Sequence, residues 1–208
     1  MKYLAILGLL VAVMPAFAHH PGERLDEVMA DKEPAFEPTD IRSMQDLALN
    51  DEQGAWMTLL DLRESIVVLS FVPSDCRAPC VEQQGILAAV QEQVNITPMK
   101  QIVKFLTIRD RHVSIDAPWE RTNWQTAFPQ DEEATESARR FAALSERAQS
   151  SLLVHVIDRG GRHAGLFHGT EFQQINLVHY INGLTNAPPA ADESEPVTWW
   201  NSLKGMFK

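Results

Sequence analysis

Cys76 and Cys80 are the only two cysteines of the chain, and they stand four positions apart between a strand-like run and a helix-like run. Upstream, residues 66–72 (Ile-Val-Val-Leu-Ser-Phe-Val) are almost continuously apolar and β-branched. Such a run suits a central strand covered on both faces. Pro73 cannot donate to a ladder and ends it, and Ser74 and Asp75 supply turn and cap chemistry. Downstream, residues 79–94 change to helical spacing, with Ile86, Val90 and Val94 four apart and Leu87 beside them. Pro79 suits a first helical turn, where its missing N–H costs nothing. Both cysteines therefore fall at the positive end of a helix. Unpaired N–H groups, the macrodipole and the neighbouring cation Arg77 all favour a thiolate there, so a lowered thiol pKa is expected. A loop this short staples nothing distant, and reactivity explains the pair better than stabilisation does.

The flanking sequence builds an α/β scaffold around that turn. Residues 102–108 read as a second strand, completing a right-handed parallel β-α-β unit. Residues 109–129 read as a long polar connection carrying Trp119, Trp124 and Phe128, and residues 132–149 as a charged helix with Ala138, Phe141, Ala142 and Leu144 inward. A strand at 152–157, the turn Asp158-Arg-Gly-Gly161 and a partner strand at 163–167 form a hairpin. A helix over 171–184 presents Phe172, Ile175, Val178 and Ile181 to the core. Before the cysteines, Asp51-Glu-Gln-Gly54 is a turn signal and 55–60 a short strand. The acid- and proline-rich residues 19–48 read as an irregular arm, with a helical turn at most near 41–47. This order is thioredoxin-like: a central mixed sheet flanked by helices, with an N-terminal strand extension, over residues 49–184.

The chain ends carry separate messages. Residues 1–18 have a basic start, a short apolar centre and Ala16-Phe17-Ala18, the features of a cleaved secretory signal peptide. Its removal changes the formal charge from −10 to −11, which disfavours nucleic acid as a partner. The expected location is periplasmic, where disulfides are permitted. His19-His20 read as a solvated end. Residues 185–196 form a linker of Pro, Ala and acids. In residues 197–208, Trp199, Trp200, Leu203, Met206 and Phe207 recur at helical spacing beside Lys204 and Lys208. That pattern fits loose contact with a membrane surface and equally a short helix docked on its own domain.

Four segments together, Asp51-Glu-Gln-Gly54, Val67-Val-Leu-Ser-Phe-Val72, Cys76-Arg-Ala-Pro-Cys80 and Val156-Ile-Asp-Arg-Gly-Gly161, resemble the Sco/SenC family. The C-x-x-x-C spacing is the most specific of these features. The resemblance implies a thioredoxin-like protein that works in assembling the copper site of cytochrome c oxidase. It would deliver copper, reduce a disulfide of a partner such as an oxidase subunit, or do both. By position, Cys76 and Cys80 would be the reactive pair and two of the copper ligands, since soft thiolates suit Cu(I). The family's histidine would fall near Gln149-Ser-Ser151, which contains none, and Val81 stands where the family has proline. The third copper ligand is therefore open. His155 is a candidate, although strand alternation makes it a hydrogen-bonded core residue first. His163 and His168 are expected to be exposed, with His112 in the connection and His179 on the last helix.

Two other readings remain beside this one. A general periplasmic thiol-disulfide oxidoreductase would use the same cysteines without copper. A binding module would hold them as an inert disulfide.

Overall fold

The computed structural model of the chain describes residues 24–42, 46–113, 122–147 and 152–186. The signal-peptide segment 1–18, His19 and His20, residues 149–151, Trp119, most of the linker and the tail 197–208 lie outside the described residues. In chain order the elements are α1 (Leu25–Lys32), β1 (Phe36–Ile41), β2 (Ala48–Asp51), β3 (Trp56–Thr58), β4 (Ile66–Val72), α2 (Ala78–Asn95), β5 (Val103–Arg109), β6 (Trp124–Pro129), α3 (Ala134–Ala142), β7 (Leu153–Ile157), β8 (His163–His168) and α4 (Gln174–Asn186). Short 3-10 turns follow β3 and α2. The strands form one sheet in the order β1-β8-β7-β4-β5-β6-β2-β3. β5 runs parallel to β4 and β6, and every other pairing is antiparallel.

All seven residues of β4 are buried, as a continuous apolar run in a doubly covered strand requires. Alternation sends Ile66 and Val68 to one face, against Leu87, Val90 and Val94 of α2 and against residues of α4. Val67, Leu69 and Phe71 go to the other face, among Leu106, Ile108 and the α3 residues Ala134, Ala138 and Phe141. The sheet thus separates α2 and α4 from α3.

Three expectations need correction. Residues 24–41 are not irregular: α1 buries Met29, and β1 becomes an edge strand whose Phe36 is fully buried, 5.1 Å from the Phe167 ring and 4.6 Å from that of Tyr180. The acids that made this segment look solvated are used as hydrogen-bond acceptors. Glu33 accepts from the Gln173 N–H and the Asn176 Nδ2, capping α4. Glu37 accepts from Ser145 Oγ and the Glu146 N–H. Next, the polar connection after β5 contains β6, whose Trp124 stacks on Phe105 at 5.0 Å. Its polar Thr126 is buried with the apolar residues, so the apolar periodicity is broken although the strand is inside. Finally, α3 stops at Ala142, and α4 begins at Gln174, which leaves Ile175 43% exposed.

Candidate redox site

The cysteines sit where β4 hands over to α2. Pro73 ends the strand, and its carbonyl accepts from the Cys76 N–H at 3.1 Å, forming the turn that leads to the helix. Helix α2 starts at Ala78 with Pro79 in its first turn, and no acid lies in that turn. Cys80 is the third helical residue, and Cys76 lies just outside the helix. The two are joined as a disulfide with their Cα atoms 5.8 Å apart. Their exposure differs: Cys80 is 1% exposed, whereas Cys76 is partly open to solvent. The Cys80 Sγ lies 3.8 Å from the Phe71 carbonyl oxygen, so after reduction the buried thiol has an acceptor beside it. Val81, next to Cys80, is 58% exposed.

Beneath the first turns of α2 lies a buried polar network. Gln84 Nε2 donates to Ser70 Oγ of β4 at 3.0 Å, and Gln84 Oε1 accepts from Thr107 Oγ1 of β5 at 3.0 Å. Trp124 Nε1 of β6 donates to Thr107 Oγ1 at 2.9 Å. One residue nearer the cysteines, Gln83 Nε2 donates to the Gly169 carbonyl just past β8, and Gly169 in turn donates its N–H to the Leu152 carbonyl. The cysteine helix is therefore tied to three strands and to the hairpin ends by directional bonds, which fix its register more tightly than apolar packing alone. Two sequence signals point to this network: Ser70 interrupts an apolar strand, and Gln83-Gln84 follow the cysteines on a helix face that packs inward.

His155 is not brought to the cysteines. It lies on the α3 face of the sheet, edge-on to Phe71 and Phe141, whereas Cys80 rides on α2 across the sheet. Its Nδ1 is 3.0 Å from His163 Nε2, and burial, then the neighbouring imidazole, hold its pKa well below the usual histidine value. His163 and His168 are not exposed as expected. His163 is fully buried and bonded to Thr39, and His168 pairs with Glu37 at 2.7 Å. Strand β1 creates this cover, so the misplacement follows from reading residues 24–41 as an arm. Among the described residues no three histidine, cysteine, aspartate or glutamate side chains converge as a metal site. Among those residues the two cysteines are the soft donors at the mouth of α2.

No family model matches this sequence, and no curated protein matches it. Solved structures do match. The chain is similar to BsSco, a member of the Sco family of cytochrome c oxidase assembly proteins described as having a disulfide switch, with 10% identity over 73% of this chain and 98% of that one and a TM-score of 0.56. It is similar to a SCO1/SenC family lipoprotein of Bacillus anthracis at 13% identity, covering 72% of this chain and 98% of that one, with a TM-score of 0.56. Copper-bound yeast Sco1 matches at 14% identity over 72% and 96% of the two chains, with a TM-score of 0.54. In fold, this chain is thus a thioredoxin-like α/β protein of the form seen in Sco/SenC proteins.

Proposed function

We propose that this chain is a Sco-like dithiol protein that acts on a partner's copper site by reducing a disulfide there. The observation that carries the reading is the Cys76–Cys80 disulfide at the start of α2, one sulfur accessible and the other buried. In the reduced protein the Cys76 thiolate attacks a partner disulfide, forming a mixed disulfide and releasing one partner thiolate. Cys80 then attacks the Cys76 sulfur, releasing the second partner thiolate and leaving Cys76–Cys80 oxidised. Two electrons pass to the partner, and a reducing dithiol protein restores the pair. The partner best suited to this chemistry is an oxidase subunit whose copper-binding cysteines must be reduced before metal enters.

Copper itself would be cargo. Reduced Cys76 and Cys80 offer Cu(I) two soft donors, and the third would come from outside the described residues or from the partner. With residues 1–18 as a cleaved signal peptide and the thioredoxin-like domain, extended at its front by α1 and β1, as the working part, this chemistry would take place in the periplasm. Among the described residues no helix is long and apolar enough to cross a membrane. The position of His155 across the sheet favours a second reading, a general thiol-disulfide oxidoreductase with no copper role.

The test is an anaerobic Cu(I) titration of the reduced protein lacking residues 1–18, beside Cys76→Ser and Cys80→Ser. One-to-one binding that needs both thiols supports the copper-site role. Copper binding no tighter than that of the serine variants, with a model disulfide still reduced, selects the general oxidoreductase. Failure of both reactions leaves an inert disulfide and overturns the proposal.

A further inference from the structure

We infer that the flank of α2 turned away from α4 is the seat of the chain's own residues 197–208. The helix has two flanks. On one, Gln83 reaches Gly169 and α4 packs alongside. On the other, Gln91 turns inward to Asn123 at 2.7 Å, and an open groove of about 530 Å³ runs beside it. Gly85, Ala88, Ala89, Glu92, Ile96 and Lys100 line this groove. Its small residues keep it shallow, and a Cβ added at Gly85 would meet nothing within 4 Å. Ile96, at its far end, is 83% exposed, the highest of any large apolar residue among the described ones. The groove's shallow Gly/Ala floor, closed at one end by Ile96, offers a seat for one apolar helix face on the helix that carries the disulfide.

Length, direction and charge all match the tail. Helix α4 ends at the same end of the sheet as α2. Arg159, in the β7–β8 turn, donates to the Thr185 carbonyl, and the Gly160 N–H donates to Arg63, just before β4. There too the Ile66 N–H donates to the Ile102 carbonyl, directly before β5 and one short 3-10 turn beyond α2. The chain therefore leaves α4 near the Ile96 end of the groove. The ten residues 187–196 reach at most ~35 Å, enough to cross one helix width of ~10–12 Å. Residues 197–208 as a helix span ~18 Å, which equals the Gly85–Ile96 stretch at ~1.5 Å per residue. Trp199, Trp200, Leu203, Met206 and Phe207 supply one apolar face. The tail carries Lys204 and Lys208 and no acidic side chain, while α2 carries exposed Glu92 in the groove and Glu82 just beyond it; Lys100, the one cation of the lining, stands past the helix at the Ile96 end.

Hydrogen exchange of the chain from residue 19 to residue 208, without lipid, tests the assignment. Amides of 199–208 should exchange about ten-fold slower than in a free peptide of that sequence. Ala89→Arg and, independently, Ile96→Glu should return them to within about two-fold of the peptide, while Leu87 and Val90 amides stay protected and report an intact helix. Because Ile96 is exposed, its substitution leaves the core untouched. Three results overturn the assignment: peptide-like rates in the unsubstituted chain, protection that appears only with phosphatidylcholine–phosphatidylglycerol vesicles, or protection that scales with protein concentration. The second would assign the tail to a bilayer and the third to a second copy.

Discussion

The Nδ1 of His155 and the Nε2 of His163 lie 3.0 Å apart inside the sheet, and only one proton fits between them. Thr39 Oγ1 donates to the His163 carbonyl at 2.9 Å, which leaves that oxygen to accept from His163 Nδ1 at 2.7 Å. By elimination His163 Nε2 accepts and His155 Nδ1 donates. Adding a proton to His163 would set two donors face to face in a site closed to water.

A pH dependence of stability follows. Burial lowers the His163 pKa to about 4 and holds that of His155 lower than usual in the same direction. For a base whose folded pKa is depressed, the unfolded chain binds the extra proton, so the stabilisation is complete above about pH 6.5 and is lost as pH falls. Glu37 adds to the trend: burial pushes its carboxyl up, but hydrogen bonds from Ser145, the Glu146 N–H and His168 outweigh this and leave it lowered. Asp26 and Asp158, raised mainly by burial, oppose the trend between the ordinary carboxylate pKa and their own raised folded values, and add no slope below it. Urea denaturation between pH 7.5 and pH 5 should show stability dropping by a few kcal/mol, since each histidine loses ~1.4 kcal/mol for every pH step below its unfolded pKa until its folded pKa is reached. His163→Gln should flatten the slope, and an equal slope in that variant would remove the histidine pair as its source.

The unequal exposure of the cysteines makes a kinetic statement. Cys80→Ser should trap a mixed disulfide through Cys76 with a model disulfide substrate, and Cys76→Ser should trap none. Titration of thiolate absorbance in reduced Cys80→Ser should place the Cys76 pKa below the ordinary value of about 8.5. A pKa at or above that value would remove the helix N-terminus from the account.

Gln84→Leu removes the amide that joins Ser70 to Thr107. The two hydroxyls keep each other at 3.2 Å and Thr107 keeps the Trp124 Nε1 donor, but each loses its bond to the amide in a dry site. A loss of about 1–3 kcal/mol is expected, measured as a shift in the denaturation midpoint. Replacing Ser70 by Ala in the same chain should restore part of it, because one stranded hydroxyl is then gone.

Gly165 is required by contact rather than by backbone conformation. A Cβ there would stand 2.5 Å from the Phe36 Cε2 and 3.2 Å from the Tyr180 Oη, between rings that already pack on each other. Gly165→Ala should destabilise by about 1–3 kcal/mol. Phe36→Leu added to it should recover stability, and strict additivity of the two losses would refute the steric account.

The legible parts of this fold were those where one local signal sufficed. β4, α2 and β5 followed from uninterrupted apolar runs and helical spacing, and the β7–β8 hairpin from Asp158-Arg-Gly-Gly161. Segments whose burial depends on distant partners were not legible. β1 alternates poorly, because Glu37 is buried to hold the segment after α3 and Pro38 lies exposed between them. β6 likewise hides the polar Thr126 among apolar residues. The cysteine pair was visible in the sequence, but Gln83 and Gln84, which fix its helix, only look polar until β4, β5 and the end of β8 are placed beside them.

Both limits of the described domain leave from the side of the sheet farthest from Cys76. Leu25 packs where a Cβ on Gly183 would sit, one turn before Asn186, and that turn lies by the β7–β8 loop. A seven-residue strand at ~3.3 Å per residue separates that side from the disulfide by roughly 20 Å. An attachment made next to residue 24 or next to residue 186 would thus act as a pedestal. It holds the sulfur pair outward, toward whatever approaches, and keeps the point of tethering out of a partner's path.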